Sequence, residues 1–142
     1  MKVTKSPTIV SSVTSKQHKT IRREQHHMIN KVWDVVQYFQ FGHKYVLPNS
    51  VFKKFAGRDF SAYDLYVHLD RQLNEKGWSW KDHGVNARRA RRWVVDHDKP
   101  IVAYTYKTYK QANDITNLKI MLEGENASKN SIYNGNRYIC RK

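Results

Sequence analysis

From residue 15 onward apolar side chains recur every three or four positions, at Ile21, Met28, Ile29, Val32, Trp33, Val36 and Phe39, the period of one helical face. The pattern predicts a helix that opens at Ser15 as N-cap and closes at Gly42. Its first half is weakly amphipathic and carries Lys16, Lys19, Arg22, Arg23 and three histidines, so those turns are expected to stand in solvent while the second half enters the core. Residues 1–15, with Pro7 and a run of Ser, Thr and Val, keep no sustained period and read as a flexible basic arm or a short edge strand. Pro48-Asn49-Ser50 resets the chain, and 51–56 followed by Gly57 reads as a helix of two turns or fewer. Leu65, Tyr66, Leu69 and Leu73 share one face of a second helix over 62–76, capped by Asp59 or Ser61 and closed by Gly77.

Beyond Trp78 comes a polar, glycine-containing turn, then four arginines in five residues around Ala90, an apolar Trp93-Val94-Val95 patch, and Pro100. This predicts a basic helix over 86–97 with Asn86 as N-cap. Ala90, Trp93, Val94 and His97 take one side, Arg88, Arg91, Arg92 and Asp96 fan across the rest, and the proline stops it. After Pro100 the period changes to two. Residues 101–106 alternate and are rich in β-branched and aromatic types, and 109–112 return against them as a short hairpin. Asp114 then caps a helix through Ile115, Leu118, Met121 and Leu122 that ends near Gly124, and Asn134-Gly135 marks a last hairpin, with a disordered tail as the other reading. The domain plan is thus an arm over 1–15, one domain over 16–125, and a hairpin or tail over 126–142.

Charge narrows the partners. Lys plus Arg number 26 against 12 Asp plus Glu, a formal charge of +14 with pI near 10.0, which favours a polyanion: nucleic acid first, an anionic membrane surface second. Residues 1–57 hold ten Lys/Arg and two acids, 58–99 nine and seven, 100–142 seven and three, so most of the basic excess lies near the N-terminus. With 39% apolar and 13% aromatic residues, 142 residues can fill one core. Cys140 is the one cysteine and makes no internal disulfide, which suits a reducing cytoplasm. No run approaches the roughly 18 apolar residues of a membrane span, and no association with a membrane is expected.

Helix, glycine turn, basic helix, proline and hairpin is the element order of a winged helix-turn-helix, a mainly α fold with a small β-hairpin wing. The stretch Arg88-Arg89-Ala90-Arg91-Arg92-Trp93-Val94, then Lys99-Pro100-Ile101, Tyr109, Ala112 and Asp114-Ile115 resembles the recognition helix, wing and trailing helix of winged-helix DNA-binding domains found in small phage and prophage proteins. In those a helix of the RxxRxxV type leads to a Pro-Ile strand, a tyrosine-bearing return strand and an acidic-capped helix. The resemblance covers about 62–122; its turn over 77–85 is longer than usual, and the wing tip over 105–108 has no glycine. It implies double-stranded DNA as partner, site-selective binding, and a transcriptional regulator or the DNA-recognition part of a replication or mobile-element system, in the nucleoid of a bacterial or phage-infected cell. Arg88, Arg89, Arg91 and Arg92 would meet bases and phosphates, while Asn86 and Lys81 would flank them. Lys107 and Lys110 would serve the wing; Lys16, Lys19, Arg22 and Arg23 would hold the backbone. Paired half-sites imply a homodimer through the helices at 16–41 or 114–123.

Other chemistry stays open. The four arginines have a second reading, a solvated helix face paired with Asp82, Asp96 or Asp98, but arginines this close repel one another unless an anion is near, which favours binding. Trp78 and Trp80 bracket a base or wedge the turn onto the core; Tyr104, Tyr106 and Tyr109 line phosphates, stack on single-stranded bases or face the helices. A single-strand or RNA-binding module is therefore one alternative. A phage-type metal-dependent nuclease is the other, but Asp59, Asp64, Asp70, Glu75 and Lys76 scatter round a helix. His18, His26, His27 and His43 have neither cysteine partners nor HExxH spacing. No catalytic triad or glycine-rich phosphate loop occurs, so no catalytic residue, metal or cofactor is expected. If about six phosphates are engaged, affinity should fall with salt at a log–log slope of roughly −5. Binding isotherms between low and physiological salt measure that slope, and a flat response contradicts a phosphate-driven interaction.

Overall fold

The computed structural model describes residues 7–42, 46–84, 86–128 and 132–141. Residues 1–6 of the expected arm, His43, Val85 and 129–131 of the expected tail lie outside these. Strand β1 (Thr8–Thr14) runs straight into helix α1 (Ser15–Phe41). Thr14 makes the junction: its hydroxyl accepts from the Gln17 N–H while the Gln17 side chain accepts from the Thr14 N–H, a reciprocal cap that places the N-cap one residue before Ser15. Gly42, at φ 62°, ends the helix in the left-handed conformation. Ile21 and Met28 are as buried as Val32, Val35 and Val36, so the core face runs through both halves of α1. The expectation that only the second half enters the core is corrected, because later parts of the chain cover Ile21 and Met28, while Lys16, Lys19, Arg22 and Arg23 stand exposed as expected.

Helix α2 (Ala62–Glu75) follows its periodicity. Ser61 and Asp64 form its capping box, and Leu65, Leu69 and Leu73 sink into the core beside α1. In place of the short helix after Pro48 there is a single 3-10 turn, Asn49–Phe52.

After Gly77 the architecture departs from the winged helix-turn-helix. Where the basic helix over 86–97 was expected, the arginines form one 3-10 turn (Arg89–Arg91), and Trp93–His97 is strand β2. Where the helix over 114–124 was expected, a 3-10 turn (Ile115–Asn117) leads into strand β3 (Leu118–Leu122), and only then into the short helix α3 (Glu123–Ser128). β2 and β3 pair antiparallel, Val95 opposite Ile120 and His97 opposite Leu118. The physical reason is a non-local pairing that outweighs local spacing. Trp93, Val94 and Val95 are strand formers, four neighbouring cations disfavour a longer helix, and Leu118 and Ile120 alternate inward once a partner strand is present. The expected wing over 101–112 is two 3-10 turns, Ile101–Ala103 and Tyr109–Asn113. Ile101, Val102 and Ala112 are drawn inward, and Ile101 and Ala112 form a second apolar cluster with Val13 and Ile21 that a projecting hairpin could not supply. The helix over 114–123 that was expected to offer a dimer surface is replaced by the turn Ile115–Asn117 and strand β3.

The first and last segments meet. Strand β5 (Asn136–Arg141) pairs parallel with β1 and antiparallel with β4 (Ile132–Tyr133), giving the sheet order β1-β5-β4. Asn134 and Gly135, both at positive φ, make the two-residue turn that the sequence predicts. Three α-helices, a three-stranded mixed sheet and a two-stranded sheet thus make up the described residues. None of the helices is long and apolar enough to cross a membrane.

A polar fastening holds α1, β2 and the 3-10 turns together. Asn113, 0% exposed, donates through Nδ2 to the Ile21 carbonyl at 2.9 Å and to Glu24 Oε1 at 2.8 Å. Its Oδ1 therefore faces His97 and accepts from Nε2 at 2.6 Å, which fixes the His97 tautomer. Arg58 closes on Glu24 at 2.6 Å and on Asp114 at 3.0 Å. Asn113→Ala should cost about 2–3 kcal/mol in urea unfolding, because it leaves buried partners without a hydrogen bond. A change below about 0.5 kcal/mol would show that the fastening is dispensable.

Candidate nucleic-acid interface

One edge of β2 is taken by β3, and the other faces α1. Gln25 Nε2 donates to the Val95 carbonyl at 2.9 Å, tying strand to helix at one point and leaving a cleft on either side. Residues 18, 22, 25, 26, 29 and 33 share the face of α1 that looks into it. The larger part of the cleft has a volume of about 410 Å3. Arg22, Gln25, His26, Asn30 and Trp33 line it from α1, and His83, Gly84 and Arg92 to Val95 from the opposite wall, with no carboxylate among them. The smaller part, about 230 Å3, shares Arg22, Gln25 and Val95 and adds His18, Asp96, His97 and Asn126.

An aromatic array braces the floor. Trp33 lies 5.9 Å from Trp93 between ring centroids, Trp93 meets Trp80 edge-on at 5.1 Å, and Trp80 stacks on Tyr66 at 5.9 Å. Trp80 is 2% exposed and donates from its indole N–H to Asp70 at 2.8 Å, so of the two readings for Trp80 the wedge onto the core holds. Trp33 and Trp93 are half-buried and line the cleft. Trp78 packs on His83, with Lys76 Nζ 4.5 Å from its ring centre.

The arginine turn is pinned from below. The Trp93 N–H donates to the His83 carbonyl at 2.8 Å, and His83 Nδ1 donates to the Arg91 carbonyl at 2.8 Å, a carbonyl being only an acceptor. All four arginines are exposed. Among the described residues Arg89 alone of the four has an ion-pair partner, and it is Glu123, at 2.9 Å, rather than Asp82, Asp96 or Asp98. Arg92 donates from Nε to the Ala87 carbonyl at 3.2 Å and lines the cleft; Arg88 and Arg91 face a shallow hollow beside Asp82. Asn86 and Lys81 are exposed in the preceding turn, with no helix for Asn86 to cap.

The sequence-predicted residues are therefore regrouped. Arg22, assigned to the backbone-holding set, and Arg92, assigned to the base-reading set, line the same cleft. Lys16, Lys19 and Arg23 are exposed on the adjoining solvent stripe of α1. Lys107 and Lys110 are not brought to the cleft. Their segment meets α1 at Gln17 and Ile21, about 100° round the helix from His18 and Arg22. Sequence reasoning missed Gln25, His26, Asn30, Trp33 and Trp93 as cleft residues. The signal for the first three was a polar stripe at helical spacing beside an apolar one, and the two tryptophans were read only as core.

Three of the residues named for a nuclease make structural hydrogen bonds. Asp64 caps α2, Asp70 holds Trp80, and Lys76 Nζ donates to the Ile120 carbonyl at 2.8 Å. Among the described residues no three His, Cys, Asp or Glu are grouped to hold a metal ion. Comparison with protein-family models, with curated proteins and with solved structures finds no match.

Two histidines of the cleft are shifted. Burial lowers the pKa of His18 below its ordinary value, and the neighbouring Arg22 charge adds to this. Burial likewise lowers His97, with the Asn113 hydrogen bond and Asp96 opposing and His18 and Arg22 reinforcing. Both are thus neutral near pH 7. An unfolded chain takes up these protons near pH 6.5 and the folded one only below that, so stability present above pH 6.5 is lost as the pH falls. The urea midpoint should be lower at pH 5.5 than at pH 7.5, and the gap should narrow in His97→Gln, which keeps a donor for Asn113 but does not titrate. Equal midpoints in the parent protein would contradict this.

Proposed function

We propose that the protein binds nucleic acid by seating an unpaired base in the cleft between α1 and β2 while the surrounding arginines hold the flanking phosphates. One observation carries this reading: Arg22 and Arg92, remote in sequence, line one carboxylate-free cleft together with the half-buried Trp33 and Trp93. Its volume, about 410 Å3, falls within the roughly 300–1,000 Å3 of ligand pockets and suits a base rather than a duplex. Base-on-aromatic stacking is worth about 1–3 kcal/mol per base. Guanidinium forks match phosphate oxygens, and the amides of Gln25 and Asn30 supply both donors and acceptors for a base edge.

With a three-residue turn at Arg89–Arg91 in place of a recognition helix, the arginines have no rod to carry them to base edges in a major groove. They act as phosphate contacts. Duplex DNA is the second reading, favoured by the exposed Arg88 and Arg91 outside the cleft and by Lys16, Lys19 and Arg23 on the outer stripe of α1. In that mode the backbone would be gripped without base selection.

Fluorescence anisotropy with a labelled mixed-sequence oligonucleotide, single-stranded or annealed to its complement, separates the two. The single strand should bind about tenfold tighter, and Arg22→Ala and Arg92→Ala should each weaken it by about ten- to thirtyfold, the worth of one charge-assisted contact. Equal affinity for both forms with both variants unimpaired would overturn the cleft as the binding site.

A further inference from the structure

The two parts of the cleft differ in chemistry. The larger offers indole faces; the smaller offers hydrogen-bonding side chains, His18, Gln25, Asp96 and Asn126, beside His97. Arg22 stands at the boundary, lining both. In a polynucleotide each phosphate is esterified to two sugars. A strand with one base on Trp33 and Trp93 and the adjoining phosphate at Arg22 therefore carries the neighbouring sugar on into the smaller cavity.

Resting on the base-seating reading above, we infer that the smaller cavity recognises the ribose 2′-hydroxyl through His18, so that the favoured strand is RNA rather than DNA. A phosphate only accepts hydrogen bonds, and the cavity's single guanidinium is offset by Asp96, so a second phosphate is poorly matched there. A hydroxyl both donates and accepts. Neutral imidazole and the amides of Gln25 and Asn126 do the same, and the 2′-hydroxyl is the group by which proteins tell RNA from DNA. His97 has its Nε2 committed to Asn113 at 2.6 Å, which leaves His18, part-exposed on the first turns of α1, as the histidine able to meet a sugar. Its lowered pKa keeps it in the neutral form that can accept as well as donate.

The test compares a labelled ten-nucleotide oligouridine with the oligodeoxyuridine of the same length, which differ only at the 2′ position, by anisotropy on the full chain at physiological salt. The ribo-oligomer should bind about tenfold tighter, the worth of one well-satisfied hydrogen bond, and His18→Ala should narrow that ratio to within about twofold. Equal affinity of the parent protein for both oligomers overturns the inference while leaving base seating intact. A preference that survives His18→Ala overturns the assignment to this cavity. Failure to bind either oligomer overturns the base-seating reading and this inference with it.

Discussion

A single buried amide sets the geometry of the rest. Asn113 accepts a hydrogen bond from β2 through His97 and donates two to α1, at Ile21 and Glu24, so helix and strand are joined through a polar spacer as well as through apolar packing. Side chains pressed together by burial alone close up until voids vanish. Bonds of fixed length instead hold two elements at a set separation, and each is modest in net worth but expensive to leave unmade. The cleft exists because β2 is fastened to α1 at defined points, Gln25 to Val95 and His97 through Asn113, rather than zipped along its edge.

The same division of labour appears within the cleft. Its floor is rigid, because Trp93 rests on Trp80 and Trp80 is locked between Tyr66 and the Asp70 carboxylate. Its rim is a short turn whose backbone is pinned by His83 while its arginine side chains extend into solvent. A stiff apolar surface with long cations around it confines one group of a ligand and tolerates variation in the rest, which matches a strand whose bases stack and whose phosphates trail across the surface. Confining four guanidinium groups to one tight turn costs repulsion that a neutral surface would not bear, and among the described residues only Arg89 is ion-paired with a carboxylate.

How much of this could be read from the chain differs by element. α1 and α2 were legible because their apolar spacing, caps and glycine stops all agree, and the Asn134-Gly135 turn because its residues tolerate positive φ. β2 and β3 were not. Leu118, Met121 and Leu122 fit a helical spacing as well as Leu118 and Ile120 fit a strand, and only the distant partner decides between them. For β2 a local signal existed, since Trp93-Val94-Val95 is strand-forming, but the preceding arginines and Asn86 drew it into a helix. The candidate site was legible as charge and not as place. Basic residues were found, but their sorting into base-reading and backbone-holding groups followed sequence neighbourhood, whereas the fold sets Arg22 and Arg92 on the two walls of one cleft and Lys107 elsewhere.

The pairing of β1 with β5 bears on how the chain reaches this state. Thr8 lies beside Arg137 and Val10 beside Ile139, a contact whose partners are separated by most of the described residues. Such closures are late and slow, since most of the intervening loop entropy is lost before the strand bonds repay any of it. During synthesis the segment that leads into α1 stays without its neighbour until α1, α2, β2, β3 and the turns between them have all been made. Over that interval Val13, which in the folded chain is buried with Ile21, Ile101 and Ala112, is open to any passing apolar surface, so the vulnerable period of this protein's life is its birth.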